Sequence, residues 1–124
     1  MEAQKIVEEL QKQYPGKNIV MNPLENPTEI VCEVDPEGGV AVAVIERSEP
    51  HHHLQTTEEY RVLEGDLALY IDGSEKELSE GDQFEVYPGE VHFAIGDETW
   101  VDVKSTPPWS PEDHIMEGKM KEFK

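Results

Sequence analysis

Residues 59–73, EYRVLEGDLALYIDG, contain two short runs of strand-forming residues, each followed by a turn sequence. The runs Glu59–Leu63 and Leu67–Ile71 supply valine, isoleucine and tyrosine, residues that favour β-strands. Glu64-Gly65-Asp66 and Asp72-Gly73 place a glycine where the chain must reverse, because glycine adopts positive φ without steric cost. This stretch therefore predicts two consecutive β-strands joined by a tight turn.

The same succession of short strand-like runs and turns extends in both directions, from Asn18 to Lys104. Further strands are predicted at Asn18–Met21, Glu29–Val34, Val40–Glu46, Gln83–Tyr87, Val91–Ile95 and Thr99–Val103. Proline, glycine, aspartate and asparagine separate these runs, and Gly96-Asp97 is expected to be one of the turns. No helical segment of roughly 10–15 residues alternates with the strands, so the pattern predicts an all-β sandwich or barrel and not a parallel α/β sheet.

The two ends of the chain follow different patterns. Near the N-terminus, apolar residues recur at three- and four-residue steps, the spacing of one helical face, at Ala3, Ile6, Val7, Leu10 and Tyr14. Beyond Lys104 the chain is rich in proline, and a second helix is expected with Ser110 as N-cap and Pro111 at its first position. We therefore predict a single domain made of an N-terminal helix, a barrel and a Pro-rich tail, at residues 1–16, 17–104 and 105–124.

Composition limits the classes of partner. The 124 residues include 28 Asp and Glu against 10 Lys and Arg, a formal charge of −18 that disfavours binding to nucleic acid and to anionic membrane surfaces. Cys32 is the single cysteine, so an intramolecular disulfide and a cysteine-rich zinc site are excluded. The acidic N-terminal stretch lacks the features of a secretory signal, and no apolar run is long enough to span a bilayer. We expect a cytoplasmic protein.

A histidine-rich stretch at residues 50–58, PHHHLQTTE, carries the chemistry. Side chains alternate between the two faces of a strand, so His51 and His53 point to one side and His52 to the other. Glu58 begins the next strand, where it shares a face with Val62, and is expected to point inward. An inward carboxylate is costly unless a positive charge meets it, and a divalent cation held by histidines would meet it.

A third histidine, His92, follows the turn at Pro88-Gly89 and can close the same site from across the barrel. Three imidazoles and one carboxylate leave positions open on an octahedral ion. Mixed nitrogen and oxygen ligands suit iron, manganese, nickel, copper or zinc and disfavour calcium. The sequence thus predicts one divalent transition metal, of undetermined identity, held by His51, His53, Glu58 and His92. Glu59 remains an alternative carboxylate ligand.

These spacings resemble the two motifs of the cupin superfamily. Its first motif combines a His-x-His pair, a glutamate and a later glycine, matched here by His51, His53, Glu58 and Gly65. Its second motif begins with glycine and ends in histidine, matched by Gly81, Pro88-Gly89 and His92. The spacing to Gly65 favours Glu58 over Glu59. The resemblance covers roughly residues 40–104 and implies a small bacterial-type cupin with a double-stranded β-helix, or jelly-roll, barrel.

Other residues near the motif have two interpretations. Tyr60 is either a buried core residue or a phenol that contacts a substrate. Arg47 and Gln55 flank the histidine loop and are either solvated or bind a ligand carboxylate or hydroxyl. Trp109 is expected to pack the tail onto the barrel or a partner, and strand edges together with the N-terminal helix favour a homodimer.

Two functions remain open. The first is an enzyme whose metal polarises an oxygen or, if it is iron, activates dioxygen, acting on a small oxygen-rich molecule such as a sugar, keto acid or diol. The resemblance implies isomerase, epimerase or dioxygenase activity of the kinds known among cupins. The second is a module that binds or senses a metal or small ligand without turnover.

Overall fold

The computed structural model describes residues 1–117 and contains one α-helix, one short 3₁₀ helix and ten β-strands. In chain order the elements are α1 (Ala3–Gln13), β1 (Asn18–Asn22), β2 (Glu29–Asp35), β3 (Val40–Arg47), β4 (His51–His53), β5 (Thr57–Glu64), β6 (Leu67–Ile71), β7 (Ser74–Leu78), β8 (Gln83–Val86), β9 (His92–Thr106), the 3₁₀ helix (Pro111–Asp113) and β10 (His114–Met116). The predicted all-β class is confirmed, with a short N-terminal helix. No helix within residues 1–117 is long and apolar enough to cross a membrane.

Strand β9 organises the sheet because it pairs with four other strands. The main path runs β1-β2-β3-β9-β4-β10, while β5 and β6 also pair with β9 and carry β8 and β7 at their other edges. All of these pairs are antiparallel. One long strand with neighbours along both edges curls the sheet around an interior, as expected for a cupin barrel.

The two faces of β2 and β3 bury different sets of side chains. On the outer face, Ile6 and Leu10 of α1 pack against Ile30 and Cys32 of β2. Cys32 is fully buried there, as expected for a small strand residue. On the inner face the barrel core is formed by Ala43, Ile45, Tyr60, Val62, Leu67, Leu69, Ile71, Leu78, Val86, Ala94 and Val101. The helix thus covers one face of the sheet and leaves the other free to line a cavity.

The turn predicted at Gly96-Asp97 is wrong, because β9 runs through this position without reversing. Its register against β3 shifts here: Ile45 lies opposite Thr99, but Arg47 lies opposite Ile95. The extra residues form a bulge at which β9, followed along the chain, changes partner from β6 to β5. A Cβ at Gly96 would lie 2.5 Å from Thr99 Oγ1 and 3.0 Å from the Ile45 carbonyl oxygen, so the bulge requires glycine.

Three strands and one helix also differ from the sequence-based prediction. Strand β7 was not predicted because its residues, SEKEL, are polar and mostly exposed. The helix expected after Ser110 is wrong: only the three-residue 3₁₀ turn Pro111–Asp113 forms, and strand β10 follows at once. The barrel was expected to end at Lys104, whereas β9 continues to Thr106. The remainder of the predicted tail, 118–124, lies outside the described residues.

Candidate metal centre and its cavity

Three strands bring four potential ligands together at one end of the barrel. His51 and His53 lie on β4, Glu58 on β5 and His92 at the first position of β9. One ligand atom from each residue lies within 4.8 Å of the others, and all four residues are buried. His51 is the direct cross-strand neighbour of His92, which explains how residues 41 positions apart in sequence meet. The set is the one predicted from the sequence.

The strand alternation also determines which neighbours stay out of the cluster. His52 points to the opposite side of β4, where its ring pairs with Glu117. Glu59 alternates with Glu58 along β5 and is not among the clustered residues. Of the two carboxylates that the sequence left open, the one in the cluster is Glu58.

Every imidazole in the cluster is held through its Nδ1 atom by a backbone carbonyl. The Nδ1–H groups of His51, His53 and His92 donate to the carbonyl oxygens of Glu49, Asp113 and Glu90, at 2.8, 2.9 and 3.0 Å. A carbonyl only accepts hydrogen bonds, so these contacts fix the proton on Nδ1 and leave Nε2 as the available ligand atom. These hydrogen bonds orient the three rings for coordination through Nε2.

Glu58 supplies the negative charge at the centre of the cluster. Its Oε1 atom lies 3.0 Å from His92 Nε2 and 3.3 Å from His53 Nε2. Burial raises the pKa of Glu58, but the contacts with His53 and His92 lower it by more, so its pKa lies well below the ordinary value. Glu58 is therefore ionised at neutral pH.

The same surroundings shift the pKa values of His51 and His53 in opposite directions. Burial, followed by repulsion from His92 and His114, lowers the pKa of His51 to about 3, so its imidazole is neutral. Burial also lowers the pKa of His53, but the adjacent Glu58 carboxylate raises it by more, and its net pKa is raised. A divalent ion bound at His53 Nε2 would compete with protonation of that atom.

A cavity of about 320 Å³ opens beside the cluster and is lined by His51, Glu58 and Tyr60, among others. The Tyr60 hydroxyl lies 3.5 Å from Glu58 Oε1, and its ring packs in the barrel core, while its contact with a substrate stays a prediction. Burial, together with the Glu58 charge, raises the pKa of Tyr60 well above its ordinary value. Arg47 and Gln55 are exposed and are not among the lining residues.

The segment from Trp109 to Glu117 was not recognised from the sequence as part of the site. Strand β10 pairs with β4, placing His114 opposite His53. The His114 ring stacks on His51, with centroids 4.2 Å apart and planes at 10°. Trp109 is half exposed and donates from Nε1 to His114 Nδ1 at 3.0 Å. The predicted packing of Trp109 against the barrel is thus made through His114.

Asp113 connects this segment to the loop between the ligands. Its Oδ1 accepts hydrogen bonds from the backbone N–H groups of Leu54 and Gln55, at 2.8 and 3.0 Å. Its Oδ2 accepts one from the N–H of Thr56 at 3.1 Å. Burial raises the pKa of Asp113, but hydrogen bonds from Thr56 and from the Leu54 and Gln55 amides lower it by more. Asp113 thus caps the loop that joins His53 to Glu58.

Comparison with known proteins agrees with this architecture. A family model described as "Cupin domain" matches residues 40–101, half of the chain. The chain belongs to the cupin family. A protein from Aquifex aeolicus (strain VF5), itself described as uncharacterized, is 33% identical over 90 residues, covering 72% of this chain and 69% of that protein.

Solved cupin structures share the fold at low sequence identity. Pac13 from Streptomyces, described as a nucleoside dehydratase, is 15% identical, with a TM-score of 0.71 over 84% of this chain and 87% of that chain. KdgF from Halomonas sp. is 20% identical, with a TM-score of 0.59 over 71% and 87% of the two chains. These likenesses establish the fold.

The clustered residues fit a metal ion in their donor chemistry. His53 Nε2 is buried and has no partner with hydrogen-bond geometry, although Glu58 Oε1 lies nearby. A buried polar atom in that state is costly unless something else binds it. Three nitrogen donors with fixed Nδ1 protons and one ionised carboxylate match a site for a divalent transition metal.

Proposed function

We propose that this cupin binds one divalent transition metal through His51, His53, Glu58 and His92, and that a small oxygen-rich molecule binds beside it in the cavity. The observation that carries the proposal is the set of three Nδ1–carbonyl hydrogen bonds, which aim three Nε2 atoms at one buried carboxylate. Purely structural packing gives no reason for three imidazoles and a carboxylate to be buried and oriented in this way.

The metal would be iron, manganese, nickel, zinc or copper, since the donor set is nitrogen-rich and contains a single carboxylate. When bound, such an ion supplies Lewis acidity or, if it is iron, redox chemistry. The protein's own contributions are orientation and exclusion of water. Tyr60 keeps its proton because its pKa is raised, so its hydroxyl is a hydrogen-bond donor beside the cluster.

The ligand proposed for the cavity is a sugar, keto acid or diol that chelates the metal through two oxygens. The cavity volume of about 320 Å³ suits a molecule of that size. Uridine, which is present in a Pac13 structure, is a sensible member of a first screening panel. The alternative is a module that binds the same ligand without converting it.

The metal site is tested by metal analysis of natively purified protein and of two matched variants. His51→Ala removes a proposed ligand, whereas His52→Ala removes the adjacent imidazole, which lies on the other side of β4. We expect near-stoichiometric metal in the wild type and in His52→Ala, and a marked loss in His51→Ala, because one of four ligands is gone. Equal metal content in the two variants would refute the assignment.

A turnover assay distinguishes an enzyme from a module that only binds its ligand. Each candidate chelator is incubated with metal-loaded protein under air and under anaerobic conditions, and product and oxygen consumption are followed. Turnover that requires iron and oxygen would indicate a dioxygenase, and turnover with zinc or manganese without oxygen would indicate an isomerase. Tight binding without product would indicate the module. The homodimer remains a prediction, to be tested by sedimentation equilibrium.

A further inference from the structure

The wall of the cavity is mainly apolar. Side chains that alternate along β2 and β3 share the inner face of the sheet, and Val31, Ala41, Ala43 and Ile45 line the cavity from these strands. Val103 contributes from β9. A ligand that fills the cavity therefore places part of its surface against aliphatic carbon.

The charged groups on this wall are carboxylates. Glu29 and Glu33 lie on the same face of β2 as Val31, and Glu49 lies just before the histidine stretch; all three line the cavity. Burial, followed by the charge of Glu58, raises the pKa of Glu29 to about 7, and the charge of Glu49 acts in the same direction. The charges of Glu58 and Glu49 thus act on Glu29, which is partly protonated at neutral pH.

Positive charge is missing from the part of the wall that the structure describes. Among residues 1–117, no lysine or arginine lines the cavity. His114 lines it as well, and its Nδ1 accepts a hydrogen bond from Trp109, so its imidazole is neutral. Because Trp109 donates to His114 Nδ1, the His114 proton is on Nε2, which leaves a neutral N–H donor.

We infer that the cavity selects an uncharged, hydroxyl-bearing ligand, a sugar or diol, and discriminates against the corresponding carboxylic acid. A ligand carboxylate that does not bind the metal would meet Glu29, Glu33 or Glu49 without a described cation to pair with it. A cationic group close to the metal would be repelled by the ion. Hydroxyl groups satisfy both constraints, since they donate to carboxylates and accept from His114 and Tyr60. The inference rests on the proposed function and narrows its ligand class.

The test compares a matched pair of chelators, protocatechuate and its methyl ester. Both offer two adjacent oxygens to a metal, and they differ in the charge at the other end of the ring. Titration calorimetry with zinc-reconstituted protein at neutral pH measures the two dissociation constants. We expect the ester to bind at least about tenfold more tightly, because like charges brought together in a partly desolvated cavity cost binding free energy.

Two variants test whether carboxylates of the cavity wall cause the preference for the ester over the acid. Glu49→Gln removes a wall carboxylate, whereas Glu59→Gln removes a carboxylate from β5 that is not among the lining residues. The affinity ratio is expected to shrink in Glu49→Gln and to stay unchanged in Glu59→Gln. Metal-dependent binding in which the acid equals or exceeds the ester would overturn this inference alone. If neither compound binds more tightly with zinc than without it, the proposed function and the inference both fail.

Discussion

Asp113→Ala is expected to weaken metal binding although Asp113 is not a proposed ligand. The substitution leaves the backbone N–H groups of Leu54, Gln55 and Thr56 without their acceptor. It also loosens the carbonyl that holds His53 Nδ1 at 2.9 Å. Loss of a partner that orients a metal-binding histidine typically lowers metal affinity about 10–100-fold, and we expect a loss in this range.

Graded variants distinguish orientation from general destabilisation. Asp113→Asn keeps one acceptor oxygen, enough for the two bonds at Oδ1, but turns its amide N–H₂ toward the N–H of Thr56, so a smaller loss is expected. Glu112→Gln changes an exposed neighbour in the same turn and should leave affinity unchanged.

Competition with a chromogenic zinc chelator gives the apparent dissociation constants, and far-UV circular dichroism checks that each variant is folded. The reasoning is wrong if folded Asp113→Ala binds zinc within about twofold of the wild type, since the expected loss is at least tenfold.

Two further predictions concern stability. In metal-free protein, the Glu29→Gln variant should gain stability relative to the wild type as pH rises from about 4.5 to about 7. The pKa of Glu29 in the folded protein is raised to about 7, whereas the unfolded chain ionises near the ordinary value of 4.5. The wild type therefore loses stability across this pH window, and the variant does not. The gain should be on the order of 1–3 kcal/mol in urea unfolding, and a pH-independent difference would contradict it. Gly96→Ala should destabilise the protein by roughly 1–3 kcal/mol because its Cβ would overlap Thr99 and the Ile45 carbonyl. Thermal unfolding checks this, and an unchanged midpoint would show that the bulge accommodates a side chain.

The clustered residues could be predicted because their signals are local. His51 and His53 point the same way whenever residues 51–53 are extended, and Glu58 and His92 follow from short spacings to turns within two family motifs. The strands that carry them combine apolar alternation with glycine and proline turns. Most of the barrel was therefore predictable without knowing which strands pair.

The missed features depend on pairings that no local pattern encodes. Asp113 and His114 act on residues about 60 positions earlier in the chain, and Pro111 with acidic neighbours indicates a helix start equally well. Gly96-Asp97 has the composition of a turn, yet the same residues form a bulge when a long strand must change partner. Polar β7 lacks the alternation that marks a half-buried strand.

Strand β4 carries two of the clustered histidines and pairs with β10, which is synthesised later. During translation His51, His53, Glu58 and His92 all emerge from the ribosome before Asp113, the residue that caps their loop. A nascent chain thus contains all four clustered residues before it contains Asp113, whose hydrogen bonds hold the loop between them. If the cluster holds a metal as proposed, docking of residues 109–117 would complete the site, and an ion captured earlier would meet a less rigid set of donors.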